Sequence, residues 1–86
     1  MARLIETSDT KWLKTRVDVY AGQDGEAEPR SFDVGYQRLD VLEVVERWGT
    51  SGHRHFKVKV RNRELYILRH QSAGDNWEMA SLKPRR

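Results

Sequence analysis

Residues His53–His70 read HRHFKVKVRNRELYILRH, and this stretch decides the fold. From Arg54 to Arg61, charged or polar residues alternate with Phe56, Val58 and Val60. Successive side chains of a strand point to opposite faces, so alternation with period two marks a half-buried strand. Asn62-Arg63 then supplies a tight turn, and Leu65, Tyr66, Ile67 and Leu68 form a second strand-like run. Two such runs joined by two turn-type residues predict an antiparallel β-hairpin. With Asn62 and Arg63 at the turn, Arg61 faces Glu64, Lys59 faces Tyr66, Lys57 faces Leu68 and His55 faces His70. The opposite face pairs Val60 with Leu65, Val58 with Ile67 and Phe56 with Arg69. That second face is the natural core face, which assigns Phe56, Val58, Val60, Leu65 and Ile67 to the interior.

Working upstream, Leu39–Trp48 contains Val41, Val44, Val45 and Trp48. Their spacing fits a helical stripe as well as a strand. The valines favour a strand, because β-branched side chains suit a pleated surface, and a bulge would explain apolar residues on both faces. Arg30–Val34 reads as a short strand with Phe32 in the core, followed by a turn or bulge at Gly35. Gly22–Pro29 is an acidic loop whose glycines and proline stop it from continuing a strand. Leu13–Ala21 alternates and reads as one first strand. Downstream, Ser72–Asn76 is a loop and Trp77–Leu82 a last strand, with Trp77 and Met79 on one face. Trp48 and Trp77 are assigned to the core, since a small domain can hardly leave such rings in water. Residues 1–12 are expected to be a partly ordered leader in which Trp12 is the exposed aromatic, a plausible contact for a protein partner. Residues 83–86 are a frayed basic tail. About five to six short strands, with turns every ~8–12 residues, predict one all-β domain over 13–82. Its expected form is a small antiparallel β-barrel, SH3-like or similar.

Composition narrows the function classes. A chain of 86 residues holds one modest core and no deep cleft between domains. There is no cysteine, which excludes disulfides, thiolate metal sites and a cysteine nucleophile, and fits a reducing cytoplasm. The N-terminus lacks the apolar core of a signal peptide, and no run approaches the roughly 18 apolar residues of a membrane span. A cytoplasmic protein with no membrane partner is expected. The net charge of +3 is unevenly spread. Residues 1–36 carry five Lys/Arg against seven Asp/Glu, whereas residues 47–70 carry seven positives against the single Glu64. A basic segment of this kind suggests contact with a polyanion, and a solvated strand face is the commoner origin of such a run.

Five segments in order, EPRSF (28–32), VLEVVERW (41–48), HFKVKV (55–60), LYILRH (65–70) and DNWEM (75–79), resemble a family of small, uncharacterised bacterial all-β proteins. A similar module is appended to the C-terminus of some catalytically inactive Y-family polymerase homologues used in mutagenic DNA repair. The resemblance covers roughly residues 14–80. It implies an all-β module, a cytoplasmic setting and a loose association with DNA transactions, and it carries over no catalytic residue. The chain departs from the pattern at Asn62-Arg63, where a glycine-containing turn is usual.

In the register above, Lys57, Lys59 and Arg61 interleave with Tyr66 on one face, with Arg54 at the start of the same strand. Cations meet phosphates, and an exposed ring stacks on a base, as on sheets that bind single strands. Arg54, Lys57, Lys59, Arg61 and Tyr66 are therefore the candidate nucleic-acid-binding residues. A solvated barrel exterior, its lysines guarding an edge against aggregation, accounts for the same residues. His53, His55 and His70 have the spacing of a divalent metal site, but no acidic ligand lies in the segment and surface histidines are the default, so no metal is assigned. Ser31, Ser51 and Ser72 sit in no nucleophile elbow, Glu43 and Glu46 read as solvated carboxylates, and Gly22–Gly25 lacks the Lys-Ser/Thr of a phosphate loop. The expectation is a non-enzymatic binding module with no cofactor and no small-molecule substrate, contacting nucleic acid through the basic hairpin face in a DNA-repair context. The alternative is a protein-interaction module that docks a partner through an apolar groove or an open strand edge, motivated by its aromatic content and by the acidic 22–28 loop beside a basic face.

Overall fold

The computed structural model describes residues 11–22 and 25–82. Most of the expected leader and the whole basic tail lie outside the described residues. The described chain is all-β, with two antiparallel sheets and one 3-10 turn at Arg61–Arg63. The strands are β1 (Leu13–Thr15), β2 (Val17–Ala21), β3 (Ala27–Val34), β4 (Gln37–Asp40), β5 (Glu43–Thr50), β6 (His53–Lys59), β7 (Leu65–Gln71) and β8 (Trp77–Ser81). The larger sheet has the order β1-β8-β7-β6-β5 and the smaller one β2-β3-β4. Among the described residues, no helix is long and apolar enough to cross a membrane.

Eight strands appear where about six were expected, because two expected strands each divide at a corner. The run Leu13–Ala21 breaks at Arg16. Its first part pairs with β8 in one sheet and its second with β3 in the other. The corner is tied down by the Thr15 hydroxyl, which donates to the Asp33 carbonyl at 2.7 Å and accepts from the Asp33 N–H at 3.1 Å. The run Leu39–Trp48 is a strand throughout its ordered parts and breaks at Val41-Leu42. Val41 donates its N–H to the Arg30 carbonyl in the smaller sheet, and Leu42 donates to the Lys59 carbonyl in the larger one. The expected bulge lies at Val45, the extra residue between the pairs Val44↔Val58 and Glu46↔Lys57. β3 begins at Ala27, earlier than expected, and takes in Pro29. The proline is tolerated because the register shifts beside it, leaving Arg30 as an extra residue opposite β2.

The hairpin register also differs from the expectation. Lys59 pairs with Leu65, Val58 with Tyr66, Phe56 with Leu68 and His55 with Arg69. Three residues make the connection rather than two, so the pairing slips by one and the partner strand presents its other face. Tyr66 and Leu68 thereby point inward, and Leu65 and Ile67 point outward. The core between the sheets consists of Phe56, Val58, Val60, Tyr66, Leu68, Trp77 and Met79 of the larger sheet and its flank, closed by Phe32 and Leu39 of the smaller one. Phe32 is fully buried and meets the Tyr66 ring edge-on, with centroids 5.3 Å apart. Burying side chains of this size contributes roughly 1.5–3 kcal/mol each.

The connection between β6 and β7 is strained. Asn62 has φ 66° and ψ 17°, and Arg63 has φ 62°. Asparagine tolerates the left-handed region, whereas an arginine there crowds its Cβ against the backbone at a cost of about 1–2 kcal/mol. Arg63→Gly removes that strain and gives back part of the gain through a freer unfolded chain. The net expectation is a gain of about 0.5–1 kcal/mol, roughly 2–8 °C in Tm. A thermal melt at neutral pH checks this, and a loss of stability would show that the Arg63 side chain makes contacts that outweigh its backbone.

Candidate nucleic-acid interface

The observed register sorts the basic hairpin into two faces and a turn. Arg54 lies on the inward side at one end of β6, opposite His70. Its guanidinium sits 4.9 Å from the Phe56 ring centroid and bridges to Glu26 at 2.8 Å. Lys57 and Lys59 lie on the outward face with His53 and His55. Arg61 occupies the exposed turn. Tyr66 is buried in the core and offers no ring for stacking. The five candidate residues are therefore not brought together: Lys57, Lys59 and Arg61 stand near one another, Arg54 is turned to the acidic loop, and Tyr66 is interior.

Ion pairs compensate much of the positive charge. Arg47 reaches from β5 to Glu28 of the smaller sheet in a two-pronged contact, Nε to Oε2 at 2.5 Å and Nη2 to Oε1 at 2.9 Å. Lys59 meets Glu43 across the β5–β6 pair at 3.2 Å, and Arg69 meets Glu78 across β7–β8 at 2.7 Å. Such partly exposed pairs add little stability, about 0–1 kcal/mol each, but they cancel charge locally. Of the seven positives in 47–70, Lys57, Arg61 and Arg63 have no acidic partner among the described residues. All three belong to the end of the hairpin that carries the turn. Leu82 donates its N–H to the Leu65 carbonyl at that same end. Arg63 is a residue of this group that the candidate set lacked. Its signal in the sequence is its place in a turn where glycine is the easier residue.

The outward face holds two further residues missed from the sequence. Trp48, assigned to the core, is half-buried on the outside, and its ring stacks on His55 at 5.0 Å with the planes 7° apart. Trp12, expected to be exposed, is half-buried on the same face, 6.3 Å from His55 and under the Arg69 guanidinium at 4.1 Å. His55 itself is buried, and Ile67 and Ala80 are buried on this face as well. His70 does not face His55. It lies on the inward side, stacked on Trp77 at 4.4 Å and 3.5 Å from Asp75. The three imidazoles thus do not converge, and among the described residues no group of three or more His, Asp or Glu is placed to hold a metal ion. A groove of about 320 Å³ opens beside His70 and Trp77, walled by Val17, Val19 and Ala27 and mixed in polarity through Arg16 and Asp75. Of the large exposed apolar side chains, Val19 lines this groove, whereas Leu13, Tyr20, Tyr36, Leu42 and Val45 are not among its walls. No family model, curated protein or solved structure matches the chain.

Burial, with the nearby Glu64 carboxylate, pushes the Tyr66 phenol above its ordinary value of 10.0. The folded state therefore holds this proton more tightly than the unfolded chain does. The associated stability is present below about pH 10 and is lost as the pH rises beyond it. Tyr66→Phe is expected to be near neutral at pH 7 and to lose stability less steeply above about pH 10. Urea midpoints measured on both sides of that pH decide the matter. Equal losses in the two proteins would place the alkaline transition elsewhere.

Proposed function

We propose that the chain is a non-enzymatic binding module that contacts the backbone of nucleic acid through the turn end of the β6–β7 hairpin. The observation that carries this reading is the group Lys57, Arg61 and Arg63, cations without acidic partners among the described residues while the other positives of the segment are paired. Lys59 joins them as a cation shared with Glu43. Phosphates are met by such unpaired side chains, and the field they set up steers a polyanion to that end of the molecule. The strained Arg63 backbone supports the same reading, since a left-handed arginine is costly to keep and a function is one reason to keep it.

The module is best read as a small SH3-like barrel. Following the pairings from β5 through β6, β7 and β8 to β1, then from β2 through β3 to β4, returns the chain to β5, and both corners are crossed by backbone hydrogen bonds or by Thr15. A cytoplasmic setting is supported by the lack of cysteine. The resemblance to a module attached to inactive Y-family polymerase homologues supports a place in DNA repair. Docking of a protein partner would instead use the groove beside Trp77, on the far side from the turn cations.

Fluorescence anisotropy with labelled oligonucleotides tests the reading. Binding is expected near 50 mM salt and is expected to weaken steeply as salt rises. Lys57→Ala with Arg61→Ala should reduce the salt slope by about two, one for each lost phosphate contact. Arg63→Gly should weaken binding while leaving the fold at least as stable. Absence of binding at low salt, or a slope unchanged in the double variant, rejects this interface.

A further inference from the structure

Resting on the nucleic-acid reading above, we infer that the ligand is single-stranded and that the outward face of the larger sheet stacks an unpaired base on Trp48. Three aromatic side chains lie together across this face: Trp48 on β5, His55 on β6, and Trp12 just before β1. They are not equivalent. The Trp12 ring is covered by the Arg69 guanidinium at 4.1 Å, and His55 is buried. Trp48 lies on the outermost strand of its sheet and is half-buried, with one ring face parallel to His55 at 5.0 Å. Its other face has no ring contact among the described residues. His55 thus backs one face of the indole from the neighbouring strand, and the other face is the one from which a base would extend the stack.

The charge beside this surface selects the occupant. Lys57 follows His55 on the same face, about 7 Å further along the strand, and Arg61 and Arg63 continue from it at the turn. Glu46 is a carboxylate on this path, directly opposite Lys57 but with no ion pair between them among the described residues, so a phosphate chain running from Trp48 toward the turn would follow β6 past Lys57, with a base on the ring at its start. A duplex cannot use the ring, because its bases are already stacked and show only their edges. Splayed bases of a single strand can, and every base has the flat surface required. A protein partner would be drawn to the indole but has no matching need for the unpaired cations Lys57, Arg61 and Arg63 at the turn end of the same hairpin.

The test compares a short oligo-dT strand, the same strand with abasic sites in place of its bases, and a duplex of equal length, each by anisotropy at about 50 mM salt. The wild-type chain is expected to favour the intact single strand over both others. Trp48→Leu, which keeps an apolar side chain without a ring, should weaken single-strand binding by roughly 5- to 100-fold, as loss of one base–aromatic stack does, and leave duplex binding unchanged. Trp48→Phe should restore most of the loss. Thermal melts of both variants exclude unfolding as the cause, and the abasic comparison needs no variant at all. Equal binding of the three ligands, or full single-strand affinity in Trp48→Leu, overturns the stacking site and leaves the turn cations as a backbone contact. Binding of none of the three overturns the nucleic-acid reading itself, and the stacking site with it.

Discussion

Phe32 closes the smaller sheet onto the larger through the Tyr66 ring, and the remaining structure depends on that contact. Edge-to-face pairs of this kind add about 0.5–1.5 kcal/mol beyond the burial of the rings. The contact requires Tyr66 to point inward, which in turn requires Val58 rather than Lys59 opposite it. A register slipped by one would bring Arg69 toward the Phe56–Trp77 end of the core. It would also turn Tyr66 out to water. Burying an unpaired guanidinium is far costlier than the strain of a tight turn, so the apolar pairs across β6 and β7 hold the three-residue connection in place. Backbone strain at Arg63 and aromatic packing at Phe32 are therefore two ends of one constraint.

Charge is distributed around the same scaffold. Arg47 and Arg54 extend from the larger sheet to Glu28 in β3 and Glu26 just before it, so these two carboxylates are neutralised by positives from the other sheet. Lys59–Glu43 and Arg69–Glu78 do the same across neighbouring strands. Each pair is weak as a source of stability. Together they change where the positive field emerges. A sequence count places seven positives over residues 47–70, six of them along the hairpin, whereas the folded chain leaves the uncompensated ones at its turn end. The uncompensated positive field therefore emerges chiefly at that end.

The fold class was legible because alternation survives wherever a sheet has one face in the core. Phe56, Val58 and Val60 on one side, and Trp77 with Met79 on another, are in the expected places. Corners were not legible. Leu13–Ala21 keeps its alternation while passing from one sheet to the other at Arg16, since a bend in the chain leaves the side-chain period unchanged. The candidate site suffered from parity rather than from residue type. Arg61 is acceptable both as the last residue of a strand and as the first of a turn, and that choice alone moved Tyr66 from the surface to the interior. Arg54, Lys57, Lys59 and Arg61 were singled out by charge, but the acidic partners of Arg54 and Lys59 are distant in sequence, and Glu26 gives no local sign that it belongs to Arg54.

Trp48 shows how far a single inserted residue reaches. Without the bulge, Trp48 would share the inward face of Val44, four residues earlier, and would enter the core as its size suggests. The extra residue Val45 reverses the parity, so Glu46 and Trp48 face outward, opposite Lys57 and His55. A second extra residue, in the connection to β7, determines what lies beside those outward positions of β6. Both irregularities flank β6, and together they set Trp48, His55, Lys57 and Lys59 on one surface. Bulges commonly re-aim a side chain, and the backbone here has two departures from regular pairing that shape the same outward face. The aromatic and basic character of the outward face is thus a property of the backbone register, and hydrophobic burial alone would have arranged these residues differently.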